Sequence, residues 1–386
     1  MRCIFMMKKR MGYLRRIALL TTVVAVLSPG ARPTHAAIDS PEARVGCAFQ
    51  RLDARSKAGQ LFMVSVDGAV SSRHMADLLR TWRAGGIILF SRNISTARNL
   101  QALIANAQRA SAVPLLVATD QEGGPVVRIR VGVTPLPAPA YYGALGSADK
   151  VYADAKAQGL ALKALGINLN LAPVVDVRVT SSSAIGRRSF GPDPALDATL
   201  AVAAIRGYQA AGIGATAKHF LGLGEVQLNA DLALPVVHAT RAQLEARDMP
   251  PMRAAIRAGV AALMVTRVVI PAFDKSNTAA YASPLMVSGI IRGELGYTGA
   301  VITDSLLSPA VMAGPGPLVA ARAAIRAGDD ILLLGGGEKE YEATIGSVIA
   351  AVDKAVALGE VPASRLNDAV LHVLRLKARL GLLPPC

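Results

Sequence analysis

Aromatic residues make up only 4% of this 386-residue chain, with a single tryptophan, and its basic residues are dispersed. A nucleic-acid stripe would cluster the two together, so that class of partner is set aside. Histidine is scarcer still, five in all and without ligand spacing, so no metal site is implied. Cysteine is limited to Cys3, Cys47 and Cys386. In an oxidising compartment Cys47 and Cys386 could pair, but only if the two ends of the domain meet. Cys386 is the last residue, and a frayed free thiol there is the competing expectation. No linker, low-complexity tract or repeat of about 20–50 residues divides the chain.

What is abundant at the start is positive charge without any acid. Arg2, Lys8, Lys9, Arg10, Arg15 and Arg16 form a basic region, and Ile17 to Leu27 is a short apolar run. Thr34-His35-Ala36 then places small residues where a signal peptidase reads them. Residues 1–36 are expected to be a secretory signal peptide, too short in its apolar part to span a membrane well, with an uncleaved anchor as the alternative. The protein is therefore expected to be exported, periplasmic or extracellular, with no stable membrane insertion after cleavage. The formal charge of +15 includes seven basic residues of this segment, leaving about +8 for residues 37–386. A mildly basic surface suits polyanionic envelope material, a weak pointer to partner.

The remaining stretch of about 350 residues, 37–386, is long enough for one large domain. Short apolar runs recur along it: Leu61–Val66, Gly86–Phe90, Leu115–Asp120, Ile167–Val177, Gly214–Phe220, Ala261–Val269, Gly299–Asp304 and Asp330–Leu334. They are continuous rather than alternating, as expected of parallel strands buried on both faces. Amphipathic segments lie between them: Ser72–Ala84, Thr96–Arg109, Lys150–Leu165, Leu196–Ala211, Arg241–Ala258, Leu285–Leu295 and Pro317–Ala327. Several end in Ala-Gly, a helix stop, just before the next strand. Eight such units predict an α/β fold, a single (β/α)8 TIM-type barrel. Two further helices, near Tyr341–Leu358 and Ala363–Leu380, are expected to lie outside it. An open doubly wound sheet competes, but no glycine-rich phosphate loop follows the first strand.

In such a barrel the chemistry collects at the C-terminal ends of the strands. Polar residues gather there. Strand three ends in Asp120-Gln121-Glu122-Gly123-Gly124, with Arg128 and Arg130 close behind. Strand four ends in Asp176, followed by Arg187, Arg188 and Ser189; strand five ends in Lys218 and His219. Strand six carries Arg267, and strand seven ends in Thr303-Asp304-Ser305. Such a concave, polar rim can grip several hydroxyls. Simpler roles stay open one residue at a time. Asp120 could cap a turn, Lys218 could pair with Asp176, Asp304 could cap a helix, and His219 could be a bonded core histidine. Glu122, beside two glycines, reads as structural rather than catalytic. The stretch from Gly214 to Pro235 is the most informative: a strand ending in Lys-His, then Gly222 and Gly224, then a polar loop with Glu225, Asn229 and Asp231. A glycine-hinged loop of this kind suits a site that closes over a ligand.

Five motifs in order carry a resemblance. Asp120-Gln-Glu-Gly-Gly-Pro-Val-Val-Arg128, Asn170-Leu-Ala-Pro-Val-Val-Asp176, Ile185-Gly-Arg-Arg-Ser-Phe-Gly191, Lys218-His-Phe-Leu-Gly-Leu-Gly224 and Thr303-Asp-Ser-Leu306 resemble the N-terminal barrel of glycoside hydrolase family 3. The similarity is greatest to its single-domain β-N-acetylglucosaminidase branch and covers nearly all of residues 37–386. The resemblance implies a retaining glycosidase acting on a carbohydrate substrate, without metal or organic cofactor. It puts the nucleophile at Asp304 and the sugar-gripping residues at Asp120, Arg128, Arg188, Lys218 and His219. A monomer is expected. β-Glucosidase and β-xylosidase activities occur in the wider family, and a sugar-binding barrel without turnover is the reading from another class.

The chain departs from that pattern on the loop. The branch usually carries Asp-Ser-His there, with the histidine as acid/base. Aligned without gaps from Lys218, those places hold Asn229, Ala230 and Asp231. Leu221 and Leu223 stand where the usual motif has proline and histidine, and Arg267 where a histidine usually follows strand six. Asp231 is the residue that could replace the missing acid, oriented by Asn229, with Glu225 as the competitor on the same loop.

Overall fold

The computed structural model describes residues 40–336 and 341–386, so the expected signal peptide lies outside the described residues. Among the described residues ten strands are formed: β1 Phe62–Ser65, β2 Gly86–Leu89, β3 Leu116–Thr119, β4 Gln121–Gly123, β5 Val126–Val127, β6 Leu169–Asn170, β7 Gly214–Phe220, β8 Ala262–Val265, β9 Ala300–Thr303 and β10 Leu332–Leu334. Eight of them make one parallel sheet in the order β10-β1-β2-β3-β6-β7-β8-β9. The two edges meet through an Ile302–Ile331 bridge and through N–H donations from Thr303 to Ile331 O and Leu306 to Leu333 O, each 2.9 Å. The sheet thus curls into a nearly closed eight-stranded barrel, as the strand pattern predicts.

Alternation along each strand sorts the core into two layers. Met63, Ile88, Leu116, Ala118, Leu169, Met264 and Ile302 fill the barrel interior, while Phe62, Val64, Ile87, Leu89, Val117 and Val301 face the helices. The helices are α1 Pro41–Gln50, α2 Ala54–Gln60, α3 Arg73–Trp82, α4 Ala97–Ala110, α5 Pro139–Leu145, α6 Ala148–Ala164, α7 Pro194–Ala210, α8 Arg241–Arg247, α9 Met249–Arg257, α10 Pro309–Ala313, α11 Pro317–Ala327, α12 Glu342–Ala357 and α13 Ala363–Arg379, with a π-type segment at Leu285–Glu294.

The structure differs from the sequence reading in four places. The strand expected over Ile167–Val177 pairs regularly only at Leu169–Asn170 and then as an isolated Val174–Lys218 bridge. Pro173, which has no N–H, interrupts the ladder between them. The helix expected over Arg241–Ala258 is two helices meeting at Asp248, because Pro250 and Pro251 cannot continue a helix begun upstream and instead open α9. A hairpin, β4 with β5, sits above β3 where only a polar loop was expected. Finally, α13 is not merely an outer helix. Its Val373 and Leu376 belong to the interior cluster, so it closes the N-terminal mouth of the barrel. The bottom is thereby sealed, and the opposite end stays open for the site.

The ends of the described chain do meet. Cys47 on α1 and Cys386 are joined by a disulfide with the Cα atoms 5.8 Å apart, within the range that a disulfide spans. Among the described residues no helix is long and apolar enough to cross a membrane.

Candidate active site

Several strands deliver their last residues to the same rim. Asp120 follows β3, Lys218 and His219 end β7, and Arg267 and Asp304 follow β8 and β9. With Arg128, Arg188 and Asp231 they line one cavity of about 650 Å³ at the C-terminal mouth of the barrel. All seven residues singled out from the sequence are in its wall. Apolar contributions come from Phe90, Leu223, Leu232 and Met264, beside polar groups of both signs.

The floor is an ion-paired frame. Lys218 Nζ lies 2.7 Å from Asp120 Oδ1 and 2.6 Å from Glu122 Oε1. Arg188 reaches the same Glu122 with Nε and Nη2, both at 2.8 Å. Lys218 therefore pairs with Asp120 and Glu122 rather than with Asp176, and Asp120 is engaged by a cation rather than capping a turn. Burial opposes the charge on Glu122, but Lys218 and Arg188 outweigh it and hold the carboxyl well below the usual carboxylate range. Burial likewise disfavours the Lys218 ammonium, and Asp120 and Glu122 more than restore it, so its proton is held above the ordinary lysine value. Gln121 keeps the hairpin in place: its Oε1 accepts from Arg128 N and Ile129 N at 3.0 Å, and its Nε2 donates to Ile129 O at 2.7 Å. That local staple aims Arg128 into the cavity, where its Nη2 is 3.8 Å from Asp120 Oδ2.

His219 is oriented from behind. Its Nδ1 is 2.7 Å from Asp176 Oδ2, and the same oxygen accepts the His219 backbone N–H at 3.0 Å. With Nδ1 occupied, Nε2 is the ring nitrogen left for the cavity. Both residues are buried, and the pairing explains why Asp176 recurs at a strand end without lining the pocket.

Asp304 is the carboxylate at the centre. Its backbone N–H donates to Val265 O at 2.9 Å, which fixes it between β8 and β9. Its Oδ1 accepts from Ser305 N at 2.7 Å and lies 2.7 Å from Arg267 Nη1. It does not cap the next helix; Ser308 does that for α10, accepting from Val311 N. Burial pushes the Asp304 proton affinity up, and the Arg267 guanidinium, the His219 imidazole and the Ser305 N–H pull it down further, leaving the carboxyl below its usual range.

The loop from Leu221 to Pro235 closes one side. Gly222 sits at φ +85°, and a Cβ on Gly224 would fall 1.9 Å from Val177 O, so only glycine lets the chain pass there. Asn229 Oδ1 accepts from Asp231 N at 2.9 Å, and Asp231 O accepts from Ala310 N at 2.9 Å. The side chain of Asp231 pairs with Arg267 Nη2. Glu225 is differently placed: its Oε1 accepts from His238 N at 2.7 Å and Ala239 N at 3.0 Å, and its Oε2 is 3.0 Å from Arg247 Nη2. Both oxygens are spent on tying the loop down, and Glu225 does not line the cavity.

Arg267 is the residue whose importance the sequence understated. Its side chain is only 2% exposed and it touches Asp231 and Asp304 at once, with further donations from Nε to Ala230 O at 3.3 Å and from Nη1 to Ser305 O at 3.1 Å. The signal was its position, one strand end away from Asp304 and in place of an expected histidine. That it bridges two carboxylates was not visible.

Residues 53–376 match the model of the glycosyl hydrolase family 3 N terminal domain. The chain is 37% identical over 279 residues to a beta-hexosaminidase of Alkalilimnicola ehrlichii, covering 70% of this chain and 79% of that one. It is 34% identical over 280 residues to a beta-hexosaminidase of Stenotrophomonas maltophilia, covering 71% and 83%. Among solved structures it superposes on a family 3 beta-N-acetylglucosaminidase from Paenibacillus sp. with a TM-score of 0.83 and 36% identity, spanning 87% of this chain and 64% of that one. A beta-N-acetylhexosaminidase from Beutenbergia cavernae gives 0.76 and 33%, spanning 84% and 98%. A barrel with carboxylates and cations at its strand ends, matched over this length and at these identities, makes the chain a member of glycosyl hydrolase family 3, a glycoside hydrolase resembling the β-N-acetylhexosaminidases.

Proposed function

We propose that this protein is an exported, retaining exo-β-glycosidase that removes terminal N-acetylglucosamine from cell-wall-type fragments. The observation that carries the reading is Asp304. It stands at the end of β9, ionised by Arg267 and facing a polar cavity of about 650 Å³. A carboxylate so placed can attack an anomeric carbon and form a glycosyl-enzyme. Asp231 gives its proton to the departing glycosidic oxygen, then as a carboxylate takes one from the water that attacks the intermediate. One guanidinium touches both carboxylates, which draws them together; retaining pairs stand about 5–5.5 Å apart and inverting pairs about 6.5–9.5 Å. Asp120 can accept from sugar hydroxyls, while Arg128, Arg188, Lys218 and His219 can donate to sugar oxygens. The names of the relatives support the choice of N-acetylglucosamine. Export is supported by the basic and apolar start of the chain and by the Cys47–Cys386 disulfide, which suits an oxidising compartment.

One observation favours a second reading, a sugar-binding barrel without turnover: the proton donor and the nucleophile are both engaged by the same arginine. A fluorogenic panel of β-N-acetylglucosaminide, β-glucoside and β-xyloside separates the two. Hydrolysis of the first, with a 2-fluoro glycoside labelling Asp304 and with Asp304→Asn inert, supports the glycosidase. Sugar binding without hydrolysis of any member supports the other.

A further inference from the structure

Resting on that reading of the site, we propose that Arg267 is a positioning residue that serves the two carboxylates in turn: it shares its charge between Asp304 and Asp231 in the free enzyme and gives it wholly to Asp231 once Asp304 is esterified. The geometry is specific. Nη1 is 2.7 Å from Asp304 Oδ1, Nη2 holds Asp231, and the remaining donations anchor the loop at Ala230 O and the strand end at Ser305 O. The guanidinium is buried and rigidly held, so it cannot retreat from either partner.

The chemistry demands opposite things of Asp231 in two successive steps. In the first, the bond between C1 and the glycosidic oxygen breaks, a bond between C1 and an Asp304 oxygen forms, and the Asp231 proton goes to the departing oxygen. Asp304 has then lost its charge to an ester. Arg267 keeps its full positive charge and now faces one anion, the Asp231 carboxylate. In the second step water forms a bond to C1, the ester bond breaks, Asp304 recovers its electron pair and charge, and Asp231 takes the water proton. While the ester exists, Arg267 has the Asp231 carboxylate as its one anionic partner and holds it in place to take the water proton. The return of charge to Asp304 divides the Arg267 charge between the two carboxylates again.

The other charged groups around this pair are already committed. His219 of β7 is bonded to Asp176 behind it; Lys218 is bonded to Asp120 and Glu122 from the β3 side; Arg188 is bonded to Glu122. Arg128 lies nearest Asp120. None of these ion pairs includes Asp231.

The test uses Arg267→Gln and Arg267→Lys in the full-length mature protein, with an activated aryl β-N-acetylglucosaminide. Asp304 loses its counter-charge in Arg267→Gln, so the acid limb of kcat/KM should move up by about 1 pH unit or more. Breakdown of the glycosyl-enzyme should become limiting, with a burst of aryl alcohol, and azide, which needs no base, should accelerate turnover. Arg267→Lys should return the acid limb toward the wild-type position. An unchanged acid limb together with no burst and no azide effect overturns the proposal. If Arg267→Gln does not fold, the carboxyl infrared difference spectrum of wild type, free and trapped by a 2-fluoro glycoside, decides instead: Asp231, identified by its loss in Asp231→Asn, should be a carboxylate in the trapped enzyme at the pH of activity. A protonated Asp231 there overturns it. Failure of the 2-fluoro glycoside to label Asp304 is the separate outcome that removes the glycosidase reading and this inference with it.

Discussion

Glu122 receives both Nε and Nη2 of Arg188 at 2.8 Å, a two-pronged ion pair in the cavity floor. The same carboxylate is 2.6 Å from Lys218 Nζ. One acid in the cavity wall thus sets the position of two cations assigned to sugar binding.

Glu122→Gln should therefore damage fold and binding together. Removing one charge from a buried set leaves its partners uncompensated, at a cost of about 3–5 kcal/mol. Urea unfolding of the variant should show that loss, and KM should rise more than kcat falls. The pH sign follows from the depressed Glu122 proton affinity: the stabilisation is present above the unfolded glutamate range, near pH 4–5, and is lost as pH falls below it. A variant as stable as wild type at pH 7 would show that the frame is held by other contacts.

Asp231 and Glu225 make a paired test on the loop. Asp231→Ala should slow cleavage of natural β-glycosides by about 10²-fold or more, the scale of lost proton transfer. Activated aryl glycosides should suffer less, and azide should partly restore turnover. Glu225→Ala should act differently, because Glu225 binds His238 N, Ala239 N and Arg247 rather than facing the cavity. It should loosen the loop, raise KM and show no azide rescue. The reverse pattern of rescue would make Glu225 the acid.

Lys377 offers a stability test far from the site. It lies on α13, fully buried, with Nζ 2.6 Å from Gln60 Oε1, and burial pushes its proton affinity down to about 7. An unfolded lysine titrates near 10.4, so between about pH 7 and 10 the unfolded chain binds more protons than the folded one. Stability contributed by this group should then rise with pH, by up to about 1.4 kcal/mol per pH unit. Urea midpoints between pH 7.5 and 9.5 should climb in wild type and stay flatter in Lys377→Met. Parallel slopes would place the origin elsewhere.

The disulfide should act on the unfolded chain. Cys47–Cys386 closes a separation of 339 residues, and opening it restores the entropy of that long loop. Cys47→Ser or reduction should lower stability by about 2–4 kcal/mol while leaving kcat nearly unchanged, since the bridge lies at the α1 end of the barrel and away from the cavity. A large loss of kcat at full folding would link the chain ends to the site.

Much of the site was legible because barrel strands end where chemistry collects. Asp120, Lys218, His219 and Asp304 each close an apolar run, and such endings put them on one rim. Arg128 and Arg188 were less local. Arg128 depends on a hairpin stapled by Gln121, and Arg188 on an ion pair to a residue 66 positions earlier. The simpler alternatives could be decided only by distance: Lys218 chose Asp120 and Glu122, and Asp176 was left to orient His219.

Apolar runs buried on both faces, alternating with helical segments that end in Ala-Gly, were enough for the sequence to determine an eight-stranded barrel and the side on which its polar residues lie. Local chemistry carries that information: side-chain periodicity and backbone stops act within a few residues. Charge pairing does not, because it depends on which strand ends become neighbours after the sheet closes. Only the tertiary structure decided that Arg267 would bridge Asp231 and Asp304, that Glu122 would bind two cations, and that Cys47 would reach Cys386.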